Sequence, residues 1–171
     1  MLRLHHPLQH LPETTFTFLL RWSRLFFWIV LALFAVIKYT SMPSGSLTPE
    51  VLLATARDQP GAFGFWAGFD YLFMAAYTIF FSVCCVWAAG KHKPESLWCK
   101  AGIALAWLSL LQLGLDMAEN YCFWQFAQGR ESESLKSWYL FLEKAKKPIF
   151  IASALYMLDT SIRVWLKVLP R

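Results

Sequence analysis

Asp116, Glu119 and Asn120 fall within the six residues LDMAEN (115–120), and a further acid, Asp70, sits in GFDYLFMAAY (68–77). Two carboxyl groups one helical turn apart repel each other, so one can hold a proton and act as a general acid while its neighbour stays ionised. The same oxygens, joined by the Asn120 amide and Asp70, are hard donors of the type that a cation or an amine prefers. No recognised metal-ligand spacing accompanies them. They define two chemistries to weigh: binding of a cation or a small amphiphile, and acid–base catalysis on a lipid-soluble substrate with Asp116 and Glu119 as the pair.

Helical periodicity gives these groups an orientation. At about 100° per residue, Ser109, Gln112, Asp116, Glu119, Asn120 and Phe123 share a sector of roughly 100°. A stripe of this kind facing lipid would cost several kcal/mol per acid, on the order of 2.5–3.5 at the bilayer centre, so it is expected to face the interior of a helix bundle. Matching by depth, the partners expected from neighbouring helices are Lys38 with Tyr39, Asp70 with Tyr77, and Lys144 with Lys147, the last two on one face with Ile151. The candidate ligand-binding set is therefore Asp70, Tyr77, Gln112, Asp116, Glu119, Asn120, Lys144 and Lys147. Pairing that only fixes helix register is the structural alternative, because interhelical polar contacts contribute about 0.6–2 kcal/mol each in a membrane.

Composition supplies the frame for these helices. The 171 residues are 57% apolar and 16% charged, with nine Trp, six Tyr and fifteen Phe, which suits a membrane protein better than a soluble domain. The net charge of +5 lies beside apolar segments rather than along one solvated arm, which argues against a nucleic-acid partner. Cys84, Cys85, Cys99 and Cys122 form no C-x-x-C or zinc pattern, so thiol–disulfide chemistry is not supported. The stretch HHPLQH holds His5, His6 and His10, but Pro7 interrupts it, and solvated histidines are the expectation there. Arg21 and Arg24, with Trp22, are expected to snorkel to the interface.

Four apolar stretches approach the roughly 20 residues needed to cross a hydrocarbon core, at about 22–39, 65–89, 97–126 and 148–166. The last is the least clean, since EKAKKP precedes it, and Trp138 to Leu142 reads as an interfacial or extended first turn with Pro148 marking where the span begins. Backbone polar groups in lipid must bond internally, so these runs are expected to be helices. In LTPEVLLATARD, Thr48, Pro49 and Glu50 predict a short extramembrane helix after the first span. The fold expected is all-α: a single polytopic domain of four transmembrane helices in an up-down bundle. No cleavable signal precedes the first span. Nine of the sixteen basic residues lie on the side that would hold both termini, so cytoplasmic termini follow from the positive-inside rule.

Through GFDYLFMAAY and LDMAEN the chain resembles a loose group of small, uncharacterised bacterial four-helix membrane proteins, with an acid early in the second helix and a D-x-x-E-N motif late in the third. That resemblance implies an inner-membrane location and a shared polar site, without a reaction or a cofactor. The function expected is binding of a small amphiphile, lipid headgroup or cation, or service as an accessory subunit beside a membrane-protein partner. A membrane enzyme is the rival.

Overall fold

The computed structural model describes residues 5–41, 58, 60–130 and 132–166, with the side chains at 38–41, 60, 62, 63, 66, 67 and 127 outside that description. A 3₁₀ turn, Pro7–His10, leads into four long helices: α1 (Glu13–Ser41), α2 (Pro60–Ala89), α3 (Leu97–Ala127) and α4 (Glu133–Trp165). The short helix expected over 48–57 and the side chains of Lys38 and Tyr39 lie outside the described residues.

Local chemistry sets the helix ends. Ser96 Oγ accepts from the Cys99 N–H at 3.2 Å and Ser132 Oγ from the Leu135 N–H at 3.2 Å, each satisfying a donor that a helix start leaves free. Gly129, at φ 72°, closes α3 in the left-handed conformation that glycine adopts without strain. Its N–H donates to the Phe126 carbonyl at 2.8 Å, and the Arg130 N–H donates to that of Gln125 at 3.1 Å.

Two boundaries differ from the sequence expectation. The first helix begins at Glu13, ahead of Trp22. The fourth begins at Glu133 and continues through Pro148, so Pro148 does not mark its start. Proline removes one internal N–H but is tolerated where packing on neighbouring helices holds the chain helical on both sides. Here Tyr139 and Leu142 before the proline and Ser153, Tyr156 and Thr160 after it are all buried.

Side-chain pairs fix the register. Phe27 stacks on Phe80 at 4.3 Å between ring centroids and Phe34 on Phe73 at 4.7 Å, so numbers rise along α1 as they fall along α2. The same opposition holds for α2 and α3, through Asn120 with Asp70 and Gln112 with Tyr77. In α3 and α4 it runs through Ser109 with Ser153 and the Trp98 carbonyl with Tyr156.

The second helix is the centre. Of its most apolar window 72% is buried, against 22% for α1 and 33% for α3, because α1, α3 and α4 all pack on it while α1 packs chiefly on α2 alone. Small residues bring backbones together where α2, α3 and α4 meet: Ala88, Ala89 and Ala106 are fully buried, and a Cβ at Gly102 would collide with the Tyr156 ring. Close approach through small residues is how helices associate where no water drives them together.

Three helical segments, Glu13–Ile37, Gly68–Ala89 and Leu97–Phe126, are long and apolar enough to cross a membrane. Their outer faces carry Phe18, Trp22, Trp28, Leu33, Leu111 and Trp124, all more than 40% exposed. Apolar surface on this scale needs lipid or a partner to cover it.

Candidate functional site

The polar stripe of α3 faces inward as its spacing predicts. Ser109, Gln112, Asp116 and Glu119 are buried, followed on the same face by Cys122 and Phe126. Asn120 is half-buried at its edge. The first half of α2 brings Asp70, Met74 and Tyr77 against this stripe, and the first half of α4 closes it with Lys146.

Lys146 is the organising cation. Its ammonium donates to Asp116 Oδ1 at 2.8 Å and also to Glu119 Oε2. Asn120 Nδ2 donates to Asp70 Oδ2 at 2.8 Å and lies 3.7 Å from the Met74 sulfur. Gln112 Nε2 donates to the Tyr77 hydroxyl at 3.5 Å. Six of the eight expected residues, Asp70, Tyr77, Gln112, Asp116, Glu119 and Asn120, are thus brought together.

The two expected lysines are not the partners of these acids. Lys144 is exposed. Lys147 reaches the rim of the site, but its ammonium bonds Glu143 at 2.6 Å, one turn earlier on its own helix. Helix phase is the reason. The buried face of α4 runs Tyr139, Leu142, Ser153, Tyr156, Thr160, and steps of three and four residues from Leu142 reach 146 and 149 before 153. Lys146 therefore occupies an interior position, while Lys144 is exposed and Lys147 stands at the rim. The apolar residues of the fourth span mislead here: Ile151, Leu155 and Leu158 are exposed and share the phase of Lys147, whereas Ser153, Tyr156 and Thr160, in phase with Lys146, are buried.

A cleft of about 380 Å³ opens beside the cluster. Asp70, Phe73, Met74 and Tyr77 of α2 form one wall, Gln112 and Asp116 of α3 the floor, and Lys146, Lys147, Phe150 and Ile151 of α4 the other wall. Glu119 and Asn120 stand behind, tied to Lys146 and Asp70. Asp116 Oδ2 is fully buried and has no hydrogen-bond partner among the described residues. The cluster thus holds three carboxylates, Asp70, Asp116 and Glu119, and one ammonium, which bonds the last two. A buried carboxylate oxygen left unpaired carries a desolvation cost of about 1–3 kcal/mol or more, which a donor or cation from outside the chain would relieve.

Chemically, the cleft offers carboxylates, an amide and a phenol beside apolar walls. Asp116 and Glu119 are bridged by one ammonium, so both carboxylates meet the same partner and the geometry does not mark one as acid and the other as base. No Ser, Cys or His lines the cleft. No group of three or more His, Cys, Asp or Glu side chains able to hold a metal ion occurs among the described residues.

Elsewhere, His6 is buried, contrary to the expectation of a solvated terminus. Pro7 opens the 3₁₀ turn, and His6 caps it: the Leu8 N–H donates to His6 Nδ1 at 3.3 Å while Gln9 Oε1 accepts from the His6 N–H at 2.9 Å. With Nδ1 accepting, Nε2 carries the proton toward Ser82 Oγ at 3.5 Å, and the ring lies 4.8 Å from that of Trp107.

Comparison with known protein families, with curated proteins and with solved structures finds no match to this chain.

Proposed function

We propose that the chain crosses a bacterial inner membrane four times, with helices alternating in direction and both termini cytoplasmic, and that the α2–α3–α4 cleft binds the head of a small amine-bearing amphiphile. The fourth crossing uses the 148–166 portion of α4. The ammonium of the ligand sits on Asp116 Oδ2 with Asp70 beside it, and its chain lies along Phe73, Phe150 and Ile151.

The observation that carries this reading is Asp116, a carboxylate in the lining of an open cleft, whose Oδ2 is buried and has no partner among the described residues. Three features favour an organic cation as the class of ligand. Carboxylates outnumber the cluster ammonium, the walls are aromatic and aliphatic, and Lys147, the other cation at the rim, is neutralised by Glu143. Fixing helix register alone would require neither the opening nor the spare oxygen.

The test is retention of radiolabelled dodecylamine by the protein in lipid nanodiscs, measured against empty nanodiscs. Saturable retention of one amine per chain is expected, lost in the Asp116→Asn, Glu119→Gln double variant. Equal retention by the double variant with its helical content intact would overturn the reading.

A further inference from the structure

A second cleft, of about 300 Å³, lies between α1, α2 and α4 toward the opposite ends of these helices. Its chemistry is the reverse of the first. Arg24 of α1 places its guanidinium carbon 5.3 Å from the ring centroid of Trp87, and the Lys91 ammonium stands 5.7 Å from the same centroid. Among the described residues neither cation has a carboxylate within ion-pair distance. An indole ring attracts a cation through its quadrupole but leaves the guanidinium N–H donors to be satisfied elsewhere.

The cleft is graded along the helix axis. Arg24, Trp87 and Ser161 stand at its polar end, while Trp28, Phe80 and Met157 line it one to two turns deeper. Arg24 over an aromatic and thioether lining, with Lys91 on the same indole ring, matches a phosphate ester joined to a hydrocarbon chain, because guanidinium binds phosphate oxygens through paired N–H donors and acyl chains lie on the apolar wall. Free phosphate would leave that wall uncovered.

We propose that this cleft is a binding site for an anionic glycerophospholipid, with its phosphate on Arg24 and Lys91 and one acyl chain against Trp28, Phe80 and Met157. The site rests on the membrane reading above but not on the ligand of the carboxylate cleft. It holds the leaflet opposite that cleft, where basic residues also gather at Arg21 and Lys93.

Native mass spectrometry of the protein released from nanodiscs of equal parts phosphatidylglycerol and phosphatidylcholine, with matched acyl chains, tests this. One phosphatidylglycerol should be retained in about tenfold preference, the scale that one to two basic side chains near an anionic lipid provide. Arg24→Gln should remove the preference, Arg24→Lys should keep part of it, and Asp116→Asn should leave it unchanged. Arg24 is exposed, so its replacements leave the core intact. Equal retention of the two lipids by the unaltered protein would overturn the proposal, as would displacement of the lipid by millimolar inorganic phosphate. Failure to incorporate into nanodiscs at all would instead overturn the membrane reading.

Discussion

The two ends of the helix assembly handle charge in opposite ways. At one, Asp116 and Glu119 are drawn in among three helices and share the Lys146 ammonium, with one Asp116 oxygen left over, while Asp70 accepts from Asn120. At the other, Arg24, Lys91 and Arg163 stand on the rings of Trp87 and Trp98, and Arg163 bonds Asp159 within its own helix at 2.8 Å. Side-chain length explains part of the contrast. Lysine and arginine extend past apolar surface to reach water or headgroups, whereas the short carboxylate arms stay at the depth of their backbone and must find partners there. The carboxylate end therefore depends on tertiary structure, and the cationic end on long side chains laid against indole rings.

That contrast breaks first at Lys146. Lys146→Met leaves buried carboxylates uncompensated and should destabilise the fold by about 3–5 kcal/mol, seen as a lower midpoint in thermal unfolding followed by circular dichroism. Adding Asp116→Asn and Glu119→Gln to Lys146→Met should restore most of the loss. A stable single variant would show that the triad does not hold α3 to α4.

At the cationic end the strongest effect should come from shape. Gly102→Val forces a side chain into the space of the Tyr156 ring, displacing a hydroxyl that donates to the Trp98 carbonyl at 2.9 Å. Overpacking of this kind costs about 1–3 kcal/mol, and the same unfolding measurement would detect it.

Acid should act more gently, and at the cationic end. His92, in the turn between α2 and α3, contacts Thr160 Oγ1 at 3.2 Å and packs near Trp98 and Tyr156. Burial holds its pKa below the ordinary 6.5, Arg163 pushes it the same way, and Asp159 opposes them. The unfolded chain therefore binds this proton more readily than the folded one. Stability is complete above pH 6.5 and declines as pH falls toward the lowered folded value. His92→Gln should flatten this part of the pH profile, and an unchanged slope would contradict the assignment.

The smallest effect is expected at Lys147. Its pair with Glu143 spans one turn of helix surface, with the lysine side chain 59% exposed, and such pairs contribute about 0.3–0.5 kcal/mol. Lys147→Ala should barely move the unfolding midpoint, in contrast to Lys146→Met next to it.

That neighbouring pair also shows what the sequence disclosed. The α3 stripe was legible because its polar residues recur at helical spacing inside an apolar run, and Ser109 to Glu119 face inward accordingly. Matching by depth placed the right turn of α4 beside the acids, but depth does not set rotation. Rotation is set by a buried face that begins at Tyr139, ahead of the apolar run that starts at Pro148. His6 was missed for a related reason, since its burial depends on Ser82 and Trp107, distant in the chain. The helix starts at Ser96 and Ser132 were readable because a cap is local.

The most direct test of the carboxylate cleft is a structure determined in a lipid phase with dodecylamine present. The account predicts density for an ammonium within hydrogen-bonding distance of Asp116 Oδ2, with Lys146 still joined to Asp116 and Glu119. Asp70 and Asp116 pointing apart into the acyl chains, or a closed cleft with the amine bound elsewhere, would contradict it.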